Sequence, residues 1–294
     1  MDIATLNIWL QQLANGLVTG SMYIALALGL SIIFGMIGIV NFAHGAVYTL
    51  GAYAALEVSR RTGFFPSLII SPILVGLLGM ALEALVLRRF YKGIPELGLL
   101  FTFGLSMFME QAIRIIWGPT PIPIAAPEQV GGVLTVAGLM YSKYRTFVLV
   151  CTIVVIAGLW WFLEKTRYGT IIRAGSRDPE MVRMLGITLT PVMTVVFGLG
   201  IALAAFAGLM AAPLSQVDPA MGNAVGTAAF VVVVIGGLGS FWGAIISGLL
   251  VGEVISITKM VWPTMSEASI YFLMLLVLLL RPRGLLGERW ERFE

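Results

Sequence analysis

Few side chains in this chain can do chemistry, and the shortage is informative. One histidine, His44, and one cysteine, Cys151, occur among 294 residues. A lone histidine builds no His-rich metal site, and a lone cysteine closes no internal disulfide. The Walker A pattern GxxxxGK[ST], HExxH and a GxSxG elbow with a plausible triad are all missing. No metal, nucleophile–base pair or nucleotide-hydrolysing loop is therefore expected of the chain itself. An enzyme finds little support in the polar residues that remain.

Three groups of them stand out. The first is VNFAHGAVYTLGAY, Val40 to Tyr53, where Asn41, His44 and Gly45 lie between two apolar segments. Polar groups there are costly unless they face protein or a wet cavity. Two readings stay open. Asn41 caps the helix that follows and His44 bonds a backbone carbonyl across a helix contact, or the residues line or gate a translocation pathway. The second group is four carboxylates in or beside apolar runs: Glu57, Glu83, Glu110 and Glu253. Glu83 can pair with Arg88, and Glu110 with Arg114 four residues on. Glu253 has no local partner, which keeps a proton-coupled secondary transporter as the alternative reading.

The third group is a charged island at 164–187, EKTRYGTIIRAGSRDPEMVRMLGI, carrying about a quarter of all charged side chains. It must sit in water, and its arginines place it in the cytoplasm. Inside it the punctuation predicts a short helix. Asp178 caps it, Pro179 suits the first helical position, Glu180 favours the positive dipole end, and Gly186 stops it. Met181, Val182 and Leu185 then form an exposed apolar face fit for docking.

The elements that must position these groups are membrane helices. Hydrophobic residues make up 59% of the chain and its mean hydropathy is +0.98, against about 45–50% apolar residues in a soluble domain. Nine apolar segments are read: Trp9–Phe34, Phe42–Val58, Pro66–Leu87, Leu97–Trp117, Thr146–Leu163, Leu189–Pro213, Gly226–Leu238, Phe241–Thr258 and Ala268–Leu280. Some are shorter than the ~20 residues a perpendicular span needs, as half-helices buried in protein are. The expected fold is all-α: a single polytopic transmembrane domain over 1–294, with about 8–10 transmembrane helices, some short or broken, and a cytoplasmic helix.

With the island inside, parity puts Arg88, Arg89 and Lys92 inside too, the N-terminus outside and the C-terminus in the cytoplasm. Arg281, Arg283, Arg289 and Arg292 follow only if the chain turns sharply at GGLGS, Gly236 to Ser240. Gly236, Gly237 and Gly239 are read there as a tight turn with close helix packing. Arg60, Arg61, Lys143 and Arg145 fall outside, against the positive-inside rule. Gly118–Tyr144, rich in proline, becomes a long external loop without a continuous helix. Small residues at Gly16/Gly20, Ala204/Gly208, Gly239/Gly243 and Gly248/Gly252 predict close helix approach. A pI of 9.1 reflects clusters between spans, so no nucleic-acid partner is expected.

These pieces together resemble the LivH-type permeases of bacterial importers for branched-chain amino acids, which belong to the ABC class. The matching strings are GLVTGSMYIALALGLSIIFGMIGIVNFAHGAVYTLGAY at Gly16–Tyr53, RAGSRDPEMVRMLGI at Arg173–Ile187, VIGGLGSFWGAIISGLLVG at Val234–Gly252 and LRPRGLLG at Leu280–Gly287. Many relatives carry Glu directly after NFAHG, where this chain has Ala46. The resemblance implies an inner-membrane permease without cofactors that pairs with a LivM-like second permease. Two cytoplasmic ATPase subunits would use ATP, and a periplasmic substrate-binding protein would deliver the solute. The segment from Arg173 to Ile187, with Arg173, Asp178, Pro179, Glu180, Met181, Val182, Leu185 and Gly186, then matches the loop that docks in a groove of the ATPase.

Overall fold

The computed structural model describes residues 3–91, 94–136 and 139–287. Lys92, Arg289 and Arg292 lie outside them. Within the described residues the helices are α1 Ile3–Ile37, α2 His44–Thr62, α3 Phe64–Leu85, α4 Pro95–Trp117, α5 Lys143–Lys165, α6 Arg167–Arg177, α7 Pro179–Met184, α8 Leu189–Ser215, α9 Met221–Gly236, α10 Phe241–Val261 and α11 Ser266–Leu280. Seven are long and apolar enough to cross a membrane, α11 together with the 3-10 turn Pro263–Met265 before it, and α2 and α9 bring the helices of the nine apolar segments to nine. Gly118–Tyr144 carries no long helix. It does hold an antiparallel hairpin, β1 Val133–Val136 with β2 Leu139–Ser142, pairing Val133 with Ser142, which the proline content did not announce.

The centre of the bundle is α8. In its most apolar window 83% of residues are buried, against 11% in α4. The cause is side-chain size. Ala204 and Ala205 are fully buried, and a Cβ at Gly208 would overlap the Tyr48 carbonyl of α2. The small-residue spacing works as expected elsewhere: Gly16 and Gly20 of α1 meet Gly248 and Gly252 of α10 backbone to backbone.

Two helices are interrupted inside the bundle. His44 Nε2 lies 3.0 Å from the carbonyl oxygen of Leu26, eleven residues before α1 ends, or about 16 Å of helix rise. The chain from Gly38 to Ala43 must therefore turn back into the bundle before α2 begins. At 16 residues, α9 spans only about 24 Å. Its first turn packs on that of α2, where a Cβ at Gly45 would overlap the Gly222 carbonyl. Such broken helices are tolerated at membrane depth because surrounding protein satisfies their ends.

The two ends of the bundle separate the charged loops. At one end Gly175 of α6 packs on Met36, Gly35 lies near Gly239 and Ser176, and Leu286 N–H donates to the Gly236 carbonyl at 3.0 Å. At the other, Gln11 donates to the Met140 carbonyl, Arg145 to Asn15 and Trp117 Nε1 to Glu57. The island, the GGLGS turn and the C-terminal arginines Arg281 and Arg283 thus share one end, and Arg60, Lys143 and Arg145 the other, as the parity reading requires.

Candidate functional site

Two regions hold the residues singled out in the sequence. At the helix break, Asn41 and His44 are only 4% and 2% exposed. Asn41 Oδ1 accepts from the Ala43 N–H at 3.1 Å, closing a local turn ahead of α2, whose own start carries no side-chain cap. His44 Nε2–H donates to the Leu26 carbonyl, and Nδ1 has no partner among the described residues. Gly45 supplies the close approach to α9. These three residues are therefore brought together and hold α1, α2 and α9 in register. The His44 carbonyl contact is that of the first open reading, whereas Asn41 closes the preceding turn and does not cap α2; both side chains are buried.

The island contains two helices where the sequence predicted one. Thr166 Oγ1 accepts from Gly169 N–H at 3.0 Å and caps α6. Arg173 pairs with Glu164 at 3.0 Å and also donates to the Leu163 carbonyl, so it ties α6 back onto α5. The bend into α7 falls at Asp178, whose Oδ1 accepts from Met181 N–H at 2.8 Å, with Pro179 opening the helix. Gly186 has φ +80° and ends the turn, as its lack of a Cβ permits. The predicted caps are all in place.

The predicted apolar face needs correction. Met181 is 51% exposed and Leu185 72%, but Val182 is 4% exposed and joins the core with Ile172 and Leu189. Val182 anchors α7 to the bundle. Its place on the outer stripe is taken by Met184, 75% exposed, which sequence reading missed. The spacing held the signal: residues 181, 184 and 185 are related by i, i+3 and i+4 and share one helical face, whereas 182 projects about 100° away. Exposed Glu180 and Arg183 flank this stripe.

Gly236, Gly237 and Gly239 make the turn and the packing expected of them. Gly236 abuts Gly243 of α10, and Gly237 has φ +100° under Arg283 and Gly287. Among the carboxylates, Glu83 pairs with Arg88 at 3.0 Å and Glu110 with Arg114 at 2.6 Å. Glu253 lies over Gly16, with Oε2 buried and unpartnered among the described residues. No group of three or more His, Cys, Asp or Glu side chains suited to a metal ion occurs among the described residues.

Comparison with known proteins places this arrangement. The chain is 33% identical over 295 residues to the high-affinity branched-chain amino acid transport system permease protein BraD of Pseudomonas aeruginosa, covering 95% of this chain and 96% of BraD. It is 29% identical to LivH of Escherichia coli over the same shares. It is also 27% identical to LivM of Escherichia coli, covering 97% of this chain and 69% of LivM. The model of the family described as branched-chain amino acid transport system, permease component, matches residues 12–279, and the chain belongs to that family.

Proposed function

We propose that the chain is one of two permease subunits of an ABC importer for branched-chain or closely related amino acids. The observation that carries this reading is the end-to-end similarity to BraD, a permease of such amino acids. The match to LivM as well as LivH supports a partner of related fold, a LivM-like second permease. Two cytoplasmic ATPase subunits supply the energy, and a periplasmic binding protein delivers the amino acid. The chain performs no bond chemistry and holds no cofactor; ATP is used by its partners.

In this reading α7 is the mechanical link. Met181, Met184 and Leu185 insert into the ATPase surface, and Val182 and the Asp178 cap hold them on the bundle. ATP-driven closure of the ATPases favours one orientation of the paired permeases through these contacts. Asn41, His44 and Gly45 act at the gate by holding the broken start of α2. The chain lies in the bacterial inner membrane with its island and C-terminus in the cytoplasm and its N-terminus outside.

Proteoliposomes containing the chain, a LivM-like subunit and both ATPases should take up radiolabelled leucine only with ATP on the ATPase side and binding protein on the other. Uptake driven by a proton gradient without ATP would instead establish the proton-coupled transporter.

A further inference from the structure

Among the candidate membrane spans α4 is the least covered by the rest of the molecule, and it carries an ion pair within about two turns of its end. Glu110 Oε1 accepts from Arg114 Nη2 at 2.6 Å, with the side chains 22% and 40% exposed. Glu110 Oε2 accepts from Asn223 Nδ2 of α9 at 2.9 Å. Glu110 lies seven residues before the end of α4 at Trp117, or about 10 Å below it. Lipid is a poor environment for such charges, so a surface bearing them faces water or protein.

Directly below, the same surface turns apolar. Phe42 N–H donates to Thr102 Oγ1 of α4 at 3.2 Å, and its ring lies 6.0 Å from that of Phe230 on α9. Phe42 is 45% exposed and Met107 62%. Along α9, Asn223 and Phe230 are seven residues apart on one stripe, and along α4, Met107 and Glu110 are three apart. The α4–α9 surface thus has a charged, two-signed upper part and an aromatic lower part.

We infer that this surface is the solute-reading wall of the translocation route, with Glu110, Arg114 and Asn223 recognising the zwitterion of an amino acid and Phe42, Met107 and Phe230 its apolar side chain. The carboxylate guanidinium pair exchanges partners with the solute. Arg114 takes the solute carboxylate, Glu110 takes its ammonium, and Asn223 keeps Glu110 oriented while the pair is open. An uncharged apolar solute leaves the pair closed and gains nothing, and a solute of one sign satisfies only half of it. A branched side chain then lies over Phe42. This rests on the importer reading above and adds to it a place and a chemistry of selection.

The test uses the complete transporter in proteoliposomes. Glu110→Gln and Arg114→Gln should each lower leucine uptake at least tenfold, with both ATPases still co-purifying. The double swap Glu110→Arg with Arg114→Glu keeps an ion pair, and the Asn223 amide can turn to serve it. If the pair only holds α4 to α9, the swap restores uptake and the inference is wrong. If the order of charges reads the solute, the swap stays at least tenfold down. A swap that fails to assemble is replaced by Phe42→Ala, which should shift the leucine-to-alanine uptake ratio several-fold toward alanine; an unchanged ratio overturns the inference. A wild-type complex that takes up no amino acid with ATP removes the importer reading and this inference together, whereas wild-type uptake with a restoring swap removes this inference alone.

Discussion

The helix break at Asn41–Gly45 and the island at 164–187 are the two polar interruptions most visible in the sequence, and they resolve oppositely. At the break the polar side chains turn inward. Asn41 and His44 are buried and spend their hydrogen bonds on backbone groups of α1 and of their own turn. In the island the polar side chains cap and tie the helices, Ile172 and Val182 turn inward as anchors, and an outer apolar stripe faces solvent. Asp178, Thr166 and Arg173 are bonded to backbone or to Glu164, while Met181, Met184 and Leu185 face solvent. A polar residue in a membrane segment therefore marks architecture as readily as a pathway. In the importer reading proposed above, the exposed apolar stripe of the capped α7 is where the partner ATPase would sit.

This contrast can be broken from its buried side first. Gly208→Leu should eliminate folded protein, because the added side chain meets the Tyr48 carbonyl in the most buried helix; the measurement is the monodisperse yield in detergent. A normal yield would mean that α2 and α8 do not pack as described. His44→Ala should lower thermal stability, since it removes a buried donor and leaves space, a loss of about 1–3 kcal/mol. Unchanged melting together with abolished uptake would give His44 to the pathway and erase the contrast. Asn41→Ala, which loses a buried turn bond, and Asp178→Ala, which loses a helix cap, should each cost about 1 kcal/mol. They should differ in consequence: the first lowers the melting temperature of the bundle, the second leaves it and weakens ATPase co-purification. Equal effects on melting would show that the island is no more separate than the break.

Much of the fold was legible because the membrane imposes long apolar runs. Trp9–Phe34 became Ile3–Ile37, and Leu189–Pro213 became Leu189–Ser215. The start of α9 was placed five residues late, at Gly226 instead of Met221, because Gly222 and Asn223 interrupt the apolar run while the helix continues through them. In the island the caps were legible, since Asp-Pro and a closing Gly are local signals. The inward turn of Val182 was not, because it depends on where α8 and α6 lie. The same limit hid the bond from Asn223 to Glu110, whose partners are 113 residues apart.

The direct test of the coupling role is Leu185→Asp, compared with Val182→Asp, in the reconstituted transporter. Burial of one Leu-sized side chain contributes about 1.5–3 kcal/mol, so losing it should weaken ATPase binding tenfold or more. The account predicts that Leu185→Asp leaves the melting temperature of the isolated chain unchanged. ATPase co-purification, uptake and transport-linked ATP hydrolysis should fall together. Val182→Asp should lower the melting temperature as well. Normal co-purification and uptake with Leu185→Asp would contradict the assignment of α7 as the link to the ATPase.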